Sequence, residues 1–134
     1  MDKLLKAFEK ENNSVRSADI YVDGKAHKVY YRLMSGEDHE RALNLSKKTK
    51  TVKETDGSTT ELTYIDDDLL RSHIIYFQFL NKDGERVFNN LTKVKWIQNN
   101  IAYETACYLA ALMGLKSVSD IVEEQQEALK KMNG

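Results

Sequence analysis

The feature of the sequence that most constrains the fold is a change of hydrophobic period at Ser35. Before this serine, Val29, Tyr31 and Leu33 alternate with residues that can face water, as in a strand with one buried face. After it, the pattern fits a helix, with Ser35 as the N-cap and Asp38 closing a capping box. The junction therefore predicts a strand that passes directly into a helix.

Asp-Gly pairs predict two hairpins. Asp23-Gly24 separates the segments 18–22 and 26–33, which is the strongest short hairpin signal in the chain. Asp56-Gly57 lies between 51–55 and 59–64, where threonine is frequent and large apolar residues are few. The polar segment 50–64 is therefore either a second hairpin or a flexible excursion.

Helical periodicity covers most of the remaining chain. The absence of proline favours long helices. Asp66 can cap a helix reaching residue 80 that is apolar around most of its circumference, and Gly114 can end another that starts at Thr92. The predicted helices are 2–11 within a segment 1–14 that can be mobile, 35–47, 66–80, 92–113, and a last one beginning at 117 or 119. We expect one α+β domain over 1–134, mainly helical, with a small antiparallel β-hairpin near the N-terminus.

The composition and net charge of the chain limit the kinds of partner that the protein is expected to bind. Charged residues make up 31% of the 134 residues and apolar residues 41%, as in a globular protein, and the net charge is −1. A balanced charge provides no field that attracts nucleic acid or an anionic membrane, so we expect neither as a partner. The single Cys107 cannot form an intramolecular disulfide, and no apolar run of signal-peptide or membrane-spanning length occurs. We therefore expect a cytoplasmic protein.

The sequence lacks the residue patterns of metal-binding, calcium-binding and phosphate-binding sites. His27, His39 and His73 lie in different predicted elements, without a second ligand at metal-binding spacing. The loop at 81–90 resembles a calcium loop only in its Asp-Gly pair, and the glycines do not form a phosphate loop. We expect a protein that is not an enzyme and has no catalytic, metal or cofactor site.

Four apolar residues are candidates for partner binding. Ile75 and Phe79 extend apolar surface onto the side of the 66–80 helix that holds Arg71 and Gln78, where a one-faced helix does not require them. Trp96 and Tyr103 are predicted to share a helix face with Cys107 and Ala110, and their residue types are frequent in binding hot spots. Core packing is the alternative for both residues of this second pair.

A basic cluster offers one further candidate site. Lys47, Lys48, Lys50 and Lys53 lie close together, with Tyr64 placed to stack a base across the same hairpin. The simpler interpretation is a solvated hairpin whose lysines discourage edge-to-edge aggregation, and the net charge favours it.

The stretch from about residue 20 to residue 121 resembles the tail assembly chaperones of long-tailed bacteriophages, the siphoviruses. The similarity lies in the hairpin leading into 32–37, the apolar helix 69–80, the turn 81–84 followed by Phe88, and the helix with Ala102, Ala106 and Leu109 that ends at Gly114. Two features depart from the family pattern. These are the polar insertion 50–64 and the amides Asn89 and Asn90, where an acidic capping pair is expected.

The resemblance implies a protein that binds the tape measure protein and the tail tube subunit and helps to start tube assembly. It also implies a homo-oligomer, a longer frameshifted form of the chain as a partner, and action in the cytoplasm of the infected host without retention in the virion. A structural tail or neck subunit that stays in the particle is the alternative. A small nucleic-acid-binding regulator acting through the lysine-rich hairpin is the third interpretation.

Overall fold

The computed structural model describes residues 2–133, except for the side chains of residues 118 and 133. It confirms the α+β class, with six helices containing 51% of the residues and 24% in strands. The described elements are α1 Asp2–Asn13, β1 Arg16–Val22, β2 Lys25–Tyr31, α2 Gly36–Leu45, β3 Lys47–Lys53, β4 Thr59–Ile65, α3 Asp67–Gln78, β5 Phe79–Leu80, α4 Lys93–Asn100, α5 Tyr103–Leu112 and α6 Val118–Asn133.

The first hairpin and the capping box after it are as predicted, but β2 ends at Tyr31, two residues before the predicted end of the strand, and residues 32–35 connect it to α2. Strands β1 and β2 pair antiparallel around Asp23 and Gly24, which both have positive φ, as a tight two-residue turn requires. The Ser35 hydroxyl accepts a hydrogen bond from the Asp38 amide at 3.2 Å, and the Asp38 carboxylate accepts one from the Ser35 amide at 3.4 Å. The capping box thus turns the chain from β2 into α2.

The predicted helix 66–80 is shorter than expected. Asp66 caps α3 by accepting from the Leu69 amide at 2.9 Å, but α3 ends at Gln78 and the next two residues form β5 beside β2. The Gln78 side chain donates to the Arg32 carbonyl, and the Arg32 amide donates to the Gln78 carbonyl, both at 3.2 Å. These bonds hold the chain in an extended conformation, so Phe79 pairs with Tyr31 instead of completing another helical turn.

The predicted helix 92–113 is two helices, and the single-helix prediction is wrong. Ile101 and Ala102 are extended between α4 and α5, with ψ angles of 125° and 144°. Asparagine favours helix ends over helix interiors, and the Asn100 side chain donates to the Trp96 carbonyl at 2.8 Å, which satisfies an acceptor at the end of α4. The predicted stop is present: Gly114 has φ 117° and lies in a Schellman arrangement, in which the Leu115 amide donates to the Ala110 carbonyl.

The segment 50–64 is part of a second hairpin. Strands β3 and β4 pair over seven residues each and form a separate two-stranded sheet. At its turn, the Asp56 carboxylate accepts from the Ser58 hydroxyl and amide, and the Ser58 side-chain hydrogen bond holds the pKa of Asp56 below its usual value. Helix α2 accordingly ends at Leu45, two residues earlier than predicted, because β3 begins at Lys47.

The core is built around α3, which packs against α2, α4 and α5. Its innermost side chains come from α3, α4 and the end of α5, and they are Ile74, Ile75, Ile97 and Met113. Ile75 is 0% exposed, so the prediction that it projects into a partner-binding surface is wrong. Because other helices cover α3 on several sides, its wide apolar arc is used within the domain.

A buried histidine connects α2 with α3. The Nδ1 atom of His73 lies 2.9 Å from the Leu69 carbonyl and 3.3 Å from the Ser46 hydroxyl, which itself donates to the Ala42 carbonyl. Both neighbours therefore act as acceptors, so Nδ1 carries the proton of the neutral ring. Burial lowers the pKa of His73, because a charged ring would lose its hydration.

This burial predicts a loss of stability in mild acid. The unfolded chain binds a proton at His73 near pH 6.5, whereas the folded chain resists it, so the stabilisation is complete above that pH and declines as the pH falls toward the folded pKa. We expect the melting temperature of His73→Asn, which keeps a side-chain amide donor near the Nδ1 position, to vary less between pH 7.5 and pH 5 than that of wild type. His27→Asn, on an exposed strand position, should behave like wild type. Equal pH dependence in all three proteins would contradict this role of His73.

The two terminal helices leave apolar side chains uncovered. In α1 no residue is buried, and Leu4, Leu5 and Phe8 are exposed. In α6, Ile121, Val122, Leu129 and Met132 are exposed. Among the described helices, none has the length and apolar character needed to cross a bilayer.

Candidate partner-binding surface

Five aromatic rings form a continuous cluster from the core to the surface. Tyr76 meets Phe77 edge-on at 5.1 Å between ring centroids and stacks with Phe88 at 6.5 Å. Phe88 also contacts Phe79 at 5.8 Å and Trp96 at 6.1 Å. Because Tyr76 is buried and Trp96 is 46% exposed, the cluster is anchored inside the domain and ends in solvent.

A shallow groove of about 530 Å³ opens beside this cluster, and we call it the aromatic groove. Its apolar part consists of the rings of Tyr76 and Phe77 together with Leu45 and Leu91, which are both exposed. The full lining is Arg41, Leu45, Tyr76, Phe77, Asn89, Asn90 and Leu91. It is therefore an apolar concavity with a polar rim, the arrangement expected of a protein-binding groove.

Two arginines lie over the rings of the groove. The Arg41 guanidinium is 5.3 Å from the Phe77 ring centroid, and the Arg86 guanidinium is 4.8 Å from the Tyr76 centroid. Arg86 also donates to the Tyr76 carbonyl at 3.3 Å, while Arg41 lies 3.7 Å from the carboxylate of Glu37. These cation–π contacts hold positive charge beside the apolar surface and favour a partner with acidic residues.

The loop from residue 81 to residue 92 positions the groove through side-chain turns. Asn81 Oδ1 accepts hydrogen bonds from the backbone amides of Asp83 and Glu85. The loop that resembles a calcium loop in its Asp-Gly pair is therefore a turn stabilised by an asparagine side chain. Asn90 Oδ1 accepts from the amide and hydroxyl of Thr92 at 3.0 Å and so presents Leu91 outward. Thr92, where the following helix is predicted to start, makes no capping bond with its side chain.

The structure brings two of the four predicted partner-binding residues to the aromatic cluster. Trp96 forms its exposed end, and Phe79 lies half-buried against Phe88. Ile75 is in the core. Tyr103 is exposed but follows the break after α4, so the prediction that Trp96 and Tyr103 share one helix face is wrong.

Tyr103 belongs to a different and more polar surface. Its ring lies 4.9 Å from the guanidinium of Arg71, which also forms an ion pair with Asp68. A hollow of about 350 Å³ beside them is lined mostly by polar side chains of α3 and α4 together with Ile97, Ile101 and Ala106. Arg71 pairs with Asp68, and the lining of this hollow is more polar than that of the aromatic groove, so it offers less apolar contact surface.

Lysines of the second hairpin contact groups of the chain itself. Lys48 Nζ lies 2.8 Å from the carboxylate of Asp66, and Lys50 lies over the Tyr64 ring at 5.6 Å. The hydrogen bond between Lys48 and Asp66 raises the pKa of Lys48 and lowers that of Asp66. Tyr64, the proposed base-stacking residue, is thus partly covered by a lysine of the neighbouring strand.

Leu45 and Leu91 are groove residues that the sequence analysis did not identify. Leu45 is the last residue of α2, and Leu91 is a lone aliphatic residue between Asn90 and Thr92. An isolated leucine in a polar loop, such as Leu91, can indicate a contact residue, but hydrophobic periodicity does not identify it because it belongs to no helix or strand. Residues 2–133 contain no group of three or more His, Cys, Asp or Glu side chains arranged to hold a metal ion.

Comparison with known proteins gives no match for this chain, whether with family models, with curated proteins or with solved structures.

Proposed function

We propose that the chain is a tail assembly chaperone of a long-tailed bacteriophage, which binds the tape measure protein and the tail tube subunit in the host cytoplasm. The proposal joins the sequence resemblance to one structural observation, the aromatic groove. An exposed apolar groove backed by packed aromatic rings provides a contact surface for a partner.

The groove suits one face of an amphipathic helix. Leu45, Phe77 and Leu91 would contact apolar residues spaced three or four apart, while Arg41 and Arg86 would meet acidic residues along the flank of that helix. A tape measure protein, which by the resemblance is the long client of such a chaperone, would supply helices of this kind. Trp96, next to Phe88, extends the contact surface beyond the groove.

Co-expression tests this function. We expect the tape measure protein to stay soluble and to purify with the chain, and to aggregate when it is expressed alone. The tape measure reading frame would be sought immediately downstream of the gene. If the chain captures neither the tape measure protein nor the tube subunit, the chaperone function is wrong. If stoichiometric amounts of the chain are found in purified virions, the alternative of a structural tail subunit is correct.

A further inference from the structure

The sheet formed by β1, β2 and β5 has an open edge at β1. Strand β2 lies in the middle, and the β5 side is closed by an antiparallel bridge between Leu80 and Arg86. Within residues 2–133, no backbone group outside the hairpin bonds to β1. Strand β1 is therefore an edge strand of seven residues.

Alternate residues of β1 turn their backbone toward this open edge. The Arg32 amide donates to the Gln78 carbonyl on the β5 side, so the preceding residue, Tyr31, turns its backbone toward β1. The β1 residues that bond to β2 are the partners of Tyr31 and of every second residue before it, and they are Arg16, Ala18, Ile20 and Val22. The outward amides and carbonyls of β1 consequently belong to Ser17, Asp19 and Tyr21.

The open edge lacks the features that usually protect an edge strand. Proteins commonly place lysines, a proline or a β-bulge there to prevent pairing with another chain. Strand β1 contains neither lysine nor proline and pairs with β2 without a bulge. By contrast, β3 of the second hairpin carries Lys47, Lys48, Lys50 and Lys53. The chain thus protects one hairpin against strand pairing and leaves the other open.

A hollow of about 380 Å³ lies along the open edge, between β1 and α5. Its lining is Asp19, Ile20 and Tyr21 from β1 and Glu104, Thr105 and Tyr108 from α5. The Ile20 side chain belongs to the core face of the sheet. A strand added to β1 would direct the side chain opposite Ile20 to that same face, and so into the hollow.

The two charged groups that line the hollow are both acidic. Asp19 and Glu104 form no ion pair with another described residue, although Lys28 lies opposite Asp19 on β2. They favour an occupant that carries a basic residue beside its apolar one. A second copy of β1 fits less well, because antiparallel pairing of two open edges about their centre would place one Asp19 opposite the other.

We propose that the open edge of β1 binds an extended segment of a partner protein by strand addition, with an apolar side chain in the hollow and a neighbouring basic residue beside Asp19. Hydrogen bonds to the backbone of Ser17, Asp19 and Tyr21 provide the affinity, and the hollow selects the side chain. This surface does not depend on what the aromatic groove binds.

A designed heptapeptide tests the proposal on the full chain. The probe is acetyl-Thr-Thr-Lys-Phe-Lys-Thr-Thr-amide, in which a lysine stands beside Asp19 in either strand direction when the phenylalanine is opposite Ile20. In ¹⁵N-labelled protein, we expect the amides of Ser17, Asp19 and Tyr21 to become protected from hydrogen exchange, with a dissociation constant on the order of 100 µM. The amides of Ala18 and Ile20, already bonded within the hairpin, should change much less.

Backbone methylation of the probe separates strand addition from side-chain contact alone. Only alternate amides of an extended peptide face the strand to which it is added. One control peptide is N-methylated at both lysines, and the other at the phenylalanine and at the threonine after the second lysine. We expect one of them to lose affinity by about tenfold or more, because it forfeits two hydrogen bonds, and the other to bind like the probe.

A charge reversal tests the selectivity of the hollow. Asp19→Lys should weaken binding of the probe by about tenfold, whereas Glu61→Lys, the same change of charge on the exposed face of β4, should leave it unchanged. Both variants should melt like wild type, and Asp19→Asn should weaken binding in the same direction with a smaller change of charge.

Three results would overturn the proposal. The first is equal binding of the two methylated peptides. The second is no protection of the three outward amides at about 1 mM probe, roughly ten times the expected dissociation constant. The third is protection of the same amides without peptide that rises with protein concentration, because a second copy would then cover the edge.

Discussion

Replacing Ile75 by alanine is expected to lower the free energy of unfolding by about 2–5 kcal/mol, the largest stability effect that we predict for a single truncation. Ile75 is fully buried between α3 and its neighbours, so the substitution removes methyl groups from a packed site and leaves a cavity. For a domain of this size the melting temperature should fall by roughly 10 °C. Urea unfolding followed by circular dichroism measures the change.

Leu5→Ala is the control for this prediction. Leu5 lies on α1, is exposed, and belongs to a helix without buried residues, so its truncation should change the free energy of unfolding by less than about 0.5 kcal/mol. If Ile75→Ala were as mild as Leu5→Ala, Ile75 would be a surface residue, and the sequence-based assignment to a partner-binding surface would be right after all.

Local signals in the sequence predicted most of the elements. Asp23-Gly24 and the Ser35–Asp38 capping box act through bonds between near neighbours, so their outcome is decided by a few adjacent residues. The same holds for Asp66 and Gly114, which mark the start of α3 and the end of α5. Fold class and most element positions follow from such residues.

Tertiary contacts decided the elements that were predicted wrongly. Helix α3 ends early because Gln78 and Arg32 exchange hydrogen bonds across 46 positions of sequence, which no local pattern reveals. Ile75 is buried because several helices surround α3, and a wide apolar arc alone does not distinguish a central helix from one with a binding face.

The candidate site was only partly predictable for the same reason. Trp96 and Phe79 were identified from residue type and position, but the groove needs α2, α3 and the loop 81–92 to come together. Leu45 and Leu91 are far apart in sequence and reach the groove from different elements. The two leucines are exposed in the same groove only because the chain folds in this way, so the hydrophobic periodicity of the sequence does not reveal it.

The central claim, that the aromatic groove binds the tape measure protein, predicts a large effect of Leu91→Glu. Leu91 is 54% exposed and lines the groove, so its replacement should leave the melting temperature unchanged. It should weaken client binding by about 2 kcal/mol or more, roughly thirtyfold in Kd, because a carboxylate would replace an apolar contact and repel an acidic partner. The chain offers a matched control in Leu62→Glu, since Leu62 is 45% exposed on β4 and lines no part of the groove.

The most direct measurement is the affinity of wild type, Leu91→Glu and Leu62→Glu for the purified tape measure protein, by titration calorimetry at equal ionic strength. We predict that only Leu91→Glu loses binding and that all three proteins melt at the same temperature. Equal affinities for Leu91→Glu and wild type, or an equal loss in both leucine variants, would contradict the claim that the aromatic groove is the binding site.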